Sequence, residues 1–109
     1  MKSRLDKVYV NPQKISDYLL NVNHSDGGPK ARLLIGYGFD VNAADVLEAA
    51  IVNHAVSNDI NKRVTTVFGE KYLVEGALET PSGKKLPIRS VWVKQDKEEI
   101  VKFVTLYPV

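Results

Sequence analysis

Two histidines, His24 and His54, are the proton-transfer groups that stand out in the chain, and there is no cysteine. His24 precedes Gly27-Gly28-Pro29-Lys30, with Arg32 close behind. Proline suits the first turn of a helix, so a helix opening at Pro29 would turn its unpaired N–H groups and positive dipole end toward His24. Such a helix end, with Lys30 and Arg32 beside it, suits an anionic ligand such as a phosphate. An ordinary imidazole titrates at about 6.5 and would exchange a proton there near neutral pH. The plainer alternative is a loop histidine beside a glycine turn that links two helices. His54 falls near the end of a later helix, where capping or dipole compensation is the commoner role.

A second set of candidates lies near the C-terminus. In Ile88-Arg89-Ser90-Val91-Trp92-Val93-Lys94, strand parity puts Ile88, Ser90, Trp92 and Lys94 on one face and Arg89, Val91 and Val93 on the other. If the valines are the core face, Ser90 would meet a phosphate and Trp92 would stack a base. The opposite assignment buries Trp92, the sole tryptophan, as the main core aromatic and turns Arg89 outward. Thr105 and Tyr107 alternate on the last strand and would bring hydroxyls beside these residues, or serve as good strand formers.

Other chemistries find little support. Two histidines thirty residues apart have no metal-ligand spacing, and Glu98-Glu99 sits in a charged loop. Gly36-Tyr37-Gly38 lacks the third glycine of a dinucleotide fingerprint and follows a helix rather than a strand. No metal and no cofactor are expected. Without cysteine there are no disulfides, thiolate sites or cysteine nucleophiles, which fits a reducing compartment.

These residues need elements to position them. Asn11-Pro12 caps a first helix, in which Ile15, Leu19 and Val22 recur at helical spacing to about Asn21. A second runs from Pro29 through Leu33, Leu34 and Tyr37 to Gly38, and a third is capped by Asn42 and striped by Val46, Leu47, Ala50, Ile51 and Ala55. Strands follow at 64–68, 71–79, 86–94 and 100–107, with turns at Gly69-Glu70 and Thr80-Pro81-Ser82-Gly83. Short connections between strands imply antiparallel pairing. The expected fold is α+β: about three N-terminal helices packed on a four-stranded antiparallel meander. Residues 1–109 read as one domain, with 1–13 an N-terminal extension, 14–57 a helical half and 63–108 the sheet.

Composition agrees with a folded domain, at 44% hydrophobic and 26% charged residues, and the net charge is only +2. The stretches 1–40 and 81–109 are basic, at +2 and +3, and 41–80 is acidic, at −3. That spread either polarises the molecule or is ordinary surface variation. No apolar run approaches the roughly 20 residues that span a bilayer, and Met1–Lys7 has no apolar stretch behind its charges. The chain reads as a small cytoplasmic domain, free-standing from Met1.

The order of Lys14-Ile15-Ser16-Asp17-Tyr18-Leu19-Leu20-Asn21, His24, Gly27-Gly28, Lys30-Ala31, Arg89-Ser90-Val91-Trp92 and Thr105-Leu106-Tyr107-Pro108 resembles a family of small bacterial domains of unknown function that occur alone or at the ends of polymorphic toxins. The resemblance spans about Lys14 to Pro108. The arrangement is also similar to the barnase–EndoU–colicin–RelE superfamily of metal-independent ribonucleases. That resemblance implies RNA cleavage by attack of the 2′-hydroxyl on the adjacent phosphate. It makes His24 the general acid or base, with Lys30 and Arg89 stabilising phosphate charge. Ser90 and Thr105 would orient the phosphate, and Arg32, Trp92 and Tyr107 would bind substrate, with Tyr107 or a lysine as second proton-transfer group. RNA and a small cognate antitoxin or immunity protein are the implied partners, and no membrane. The competing class is a non-catalytic binding module that uses a sheet face or an edge strand.

Overall fold

A computed structural model of the chain describes residues 3–26 and 28–109. The fold is α+β, and its sheet has five strands rather than four. The additional strand, β1 (Val8–Tyr9), comes from the stretch expected to be an extension, and Leu5 and Val10 on either side of it are buried. It pairs in parallel with β5 (Val101–Pro108), so the sheet is mixed and not a pure antiparallel meander. Parallel pairing is open to β1 because the whole helical half separates it in sequence from its neighbour. The remaining strands, β2 (Ile60–Thr66), β3 (Gly69–Glu79) and β4 (Lys85–Gln95), are antiparallel in the order β1-β5-β4-β3-β2.

The helices follow the expected order with different ends. The Asn11 side chain accepts the Gln13 N–H at 3.0 Å and Pro12 takes the first turn of α1 (Pro12–Lys14). α1 then widens into a π-helical turn, Ile15–Leu19, closed by the Leu20 N–H on the Ile15 carbonyl at 2.8 Å. Ile15 and Leu19 are buried, whereas Val22, expected on the same stripe, is exposed beyond the turn. α2 is Gly28–Gly36, and Gly38 beyond it has φ +104°, the left-handed region that glycine tolerates. The cap of the third helix is displaced: Asp40, not Asn42, accepts a backbone N–H, opening a 3₁₀ turn (Val41–Ala43) that leads into α3 (Ala44–Ser57). α3 buries Leu47, Ile51, His54 and Ala55, the i, i+4, i+7, i+8 stripe that faces the sheet.

Helices and sheet enclose one core, in which Leu86, Ile88, Ser90 and Trp92 of β4 point inward with Tyr72, Val74 and Leu78 of β3. The Trp92 and Phe103 rings meet edge to face at 5.3 Å. On β5 the register moves: Val91 pairs with Thr105 but Trp92 with Phe103, so Val104 is an extra residue, a β-bulge. The bulge lets Phe103 and Leu106 both face the core while Thr105 and Tyr107 stay on the other face.

The tip of the β2–β3 hairpin also differs. Val67 and Phe68 form the turn rather than ending a strand, and Gly69 begins β3 with φ +142°. A Cβ there would collide with the Lys94 carbonyl oxygen and lie 2.9 Å from Gln95 Cα. Gly69→Ala is therefore expected to cost about 2 kcal/mol or more, from left-handed strain and displacement of β4, which urea unfolding measures directly.

Candidate functional site

A cleft forms where β1 leaves the β5 edge and the chain turns into α1. The bulge carbonyl of Val104 accepts the Lys14 ammonium at 3.1 Å, fixing the end of α1 against β5. One helical turn on, the π turn carries Tyr18 to the same strand, where its hydroxyl lies 3.2 Å from Thr105 Oγ1. From α2, Lys30 Nζ donates to the Tyr18 oxygen at 2.7 Å and to Thr105 Oγ1 at 2.9 Å. The His24 ring stands edge-on to Tyr18, with centroids 5.0 Å apart. Lys14, Asp17, Tyr18, His24 and Thr105 line the resulting cavity of about 610 Å³. Three segments of the chain thus converge on one phenol.

Burial pushes the Tyr18 phenol up, but hydrogen bonds from Lys30 and Thr105 and the charges of Lys30 and Lys14 outweigh it and leave it below its ordinary value. The two ammonium groups also lie 5.1 Å and 5.8 Å from the ring centroid. Tyr18 should consequently ionise below the ordinary phenol value in an absorbance titration, and Lys30→Met should move that component upward. His24 Nδ1 accepts the Asp26 N–H at 3.0 Å, so the neutral ring carries its proton on Nε2.

The structure brings together three of the residues expected from sequence, His24, Lys30 and Thr105, and separates the others. The helix-end anion site is altered because the Gly28 N–H is spent on the His24 carbonyl at 2.8 Å and Pro29 has none. Gly27 lies outside the described residues. Arg32 is exposed and reaches the Val22 carbonyl at 3.5 Å. Arg89 lies on the outer sheet face, ion-paired with Glu75 and 3.4 Å from the Tyr107 hydroxyl, so these two hold each other outside the cleft lining.

Ser90 and Trp92 face the core, the second of the two parity readings. Trp92 Nε1 donates to Ser90 Oγ at 2.8 Å, and His54 Nε2 lies 2.9 Å from the same oxygen. Ser90 and Trp92 are both fully buried. His54 is likewise a core group rather than a helix cap. Sequence reasoning gave no role to Tyr18 or Lys14, although their i, i+4 spacing puts both on one helix face.

A small α+β domain with a lysine-bounded cleft at its sheet edge is the class these observations define. The chain belongs to the family described as a domain of unknown function, DUF6883, whose model matches residues 2–109. Its fold is similar to a chain in a contact-dependent growth inhibition toxin–immunity protein complex from Klebsiella pneumoniae 342, with a TM-score of 0.67 and 21% identity over 92% of this chain and 98% of that one. No curated protein matches it. No helix among the described residues is long and apolar enough to cross a membrane.

Proposed function

We propose that the domain is a metal-independent ribonuclease of the bacterial toxin type. The observation that carries this reading is the convergence of Lys14, Tyr18 and Thr105 beside His24 in one cleft, with Lys30 bonded to the Tyr18 and Thr105 oxygens, which supplies two proton-transfer groups and fixed positive charge. In the reaction the 2′-oxygen bonds to phosphorus and the bond to the 5′-oxygen breaks, giving a 2′,3′-cyclic phosphate and a 5′-hydroxyl. Tyr18, whose ionisation the lysines ease, takes the 2′-hydroxyl proton. His24, in its protonated form with Nδ1 released from the Asp26 N–H, supplies a proton to the departing oxygen. Lys30 and Lys14 stabilise the charge that accumulates on the phosphorane, and Thr105 holds Lys30 and Tyr18 in register. The similarity to a chain of a toxin–immunity complex supports a toxin- or immunity-related role and a cognate protein partner, and the ribonuclease reading places the domain in the cytoplasm, where RNA is met.

The test is incubation of the purified protein with total RNA and tRNA in EDTA, with analysis of product ends. Cleavage leaving 2′,3′-cyclic phosphates is expected. Intact RNA after incubation with a demonstrably folded sample would overturn the reading. A second reading, a non-catalytic protein-binding module, is favoured by a different surface. Val67 and Phe68 are 87% and 78% exposed at the hairpin tip, beside edge strand β2. It predicts that RNA stays intact.

A further inference from the structure

The cleft does not end at Lys14. A second hollow, of about 360 Å³, adjoins it on the outer sheet face and shares Asn11, Lys14 and Val104 with it. Its other walls include Tyr9, Val93 and Lys102. Tyr9 and Lys102 are register partners on β1 and β5, and Val93 is the partner of Lys102 on β4, so the three side chains share one face across three adjacent strands. Tyr9 is 48% exposed although it lies in a strand. A half-exposed aromatic beside a short apolar floor and flanked by two ammonium groups has the composition of a base-stacking platform with phosphate contacts on either side. Lys102 is 3.5 Å from Glu98, but both side chains are well hydrated, so the pairing is weak and exchangeable.

We infer that this hollow is a second nucleotide subsite, rested on the ribonuclease reading, and that the substrate is a single strand extending beyond the scissile phosphate. Lys14 stands at the crossing: its ammonium is 3.1 Å from the bulge carbonyl and 5.8 Å from the Tyr18 ring, at the passage between the two hollows. A strand bound at Tyr18 and His24 passes Lys14 with one phosphate, stacks its next base on Tyr9 over Val93, and meets Lys102 with the following phosphate. Double-stranded RNA does not fit this path, because its bases are not splayed out to reach a ring lying in the sheet surface.

Two measurements test the inference, on wild type, Tyr9→Ala and Lys102→Gln, both substitutions being at exposed positions. The first is kcat/KM for a dinucleotide and for a single-stranded pentanucleotide. The pentanucleotide should lose about tenfold in Tyr9→Ala and the dinucleotide less than twofold. The second is fluorescence anisotropy with a 2′-O-methyl pentanucleotide, which has no nucleophile and reads binding alone. Tyr9→Ala should weaken it by about tenfold, and Lys102→Gln should weaken it less and flatten its salt dependence. Equal effects on the two substrates, or unchanged binding in Tyr9→Ala, overturn the subsite while leaving the ribonuclease reading in place. Binding that depends on Tyr9, in a protein that leaves RNA intact, supports the subsite and overturns the ribonuclease. An RNA that neither binds nor is cleaved overturns both.

Discussion

His24→Ala is expected to lower the rate of RNA cleavage by about 10²–10⁴-fold, the usual contribution of a positioned acid or base. The loss should fall on kcat, since the ring moves a proton and the lysines hold the phosphate. Lys30→Met separates these roles. Its ammonium donates to the Tyr18 oxygen at 2.7 Å and favours the ionised phenol, so removing it should weaken RNA binding and raise the Tyr18 pKa together. With Tyr18 as the base and His24 as the acid, the reactive form holds the ionised phenol and the protonated ring together, so the pH profile is a bell and Tyr18 sets one of its limbs. The limb belonging to Tyr18 should therefore move to higher pH in Lys30→Met and disappear in Tyr18→Phe. A pH profile of kcat/KM for the three proteins decides the assignment. A limb that stays in place in Lys30→Met assigns the base elsewhere, whatever the size of the rate loss.

Much of this arrangement was legible where periodicity reports it. In the expected stripe of Val46, Leu47, Ala50, Ile51 and Ala55, Leu47, Ile51 and Ala55 mark the buried face of α3 whereas Val46 is exposed, and the β-branched runs mark four of the strands. β1 was not legible, because two residues carry no alternation and what holds them is pairing with a strand at the far end of the chain. The parity of Ser90 and Trp92 was undecidable for a physical reason: Val91 is also buried, so both faces of that part of β4 look apolar in sequence. Only the packing of α3, with His54 placed against Ser90, settles the direction. Tyr18 is not legible for a similar reason. Its partner Thr105 is 87 residues away, and the π turn and the Val104 bulge that bring them together are local irregularities without a sequence period. His24 and Lys30 are legible by residue type and proximity, although the Gly28 N–H that would accompany them is spent on the His24 carbonyl.

The buried His54–Ser90–Trp92 group should make stability fall in acid. Burial lowers the His54 pKa, with the Ala77 and Val74 backbone acting against it, so the folded protein holds this ring neutral at a pH where the unfolded chain, at about 6.5, already binds a proton. Above about pH 6.5 neither state is protonated and the contribution is constant. As pH falls below that value the unfolded state takes up a proton that the folded state refuses, and stability declines by up to about 1.4 kcal/mol per pH unit until the folded pKa is reached. One tautomer satisfies most of the group: Nε2–H donates to Ser90 Oγ, Ser90 also accepts from Trp92 and donates to the Val74 carbonyl at 3.4 Å, and Nδ1 is a lone pair with no hydrogen-bond partner among the described residues. Ser90→Ala would strand two buried donors at once, at a cost of roughly 1–3 kcal/mol each, a large part of the usual 5–15 kcal/mol. His54→Leu leaves Ser90 still paired with Trp92 and Val74, so it should cost less than Ser90→Ala and should remove the His54 part of the acid slope. Urea unfolding of the three proteins between pH 8 and about pH 5 measures both effects, since loss of the proton linkage and loss of two hydrogen-bond acceptor sites act on different axes of the same experiment. A slope unchanged in His54→Leu would place the acid sensitivity in another group and leave the cost of Ser90→Ala as the sole measure of the network.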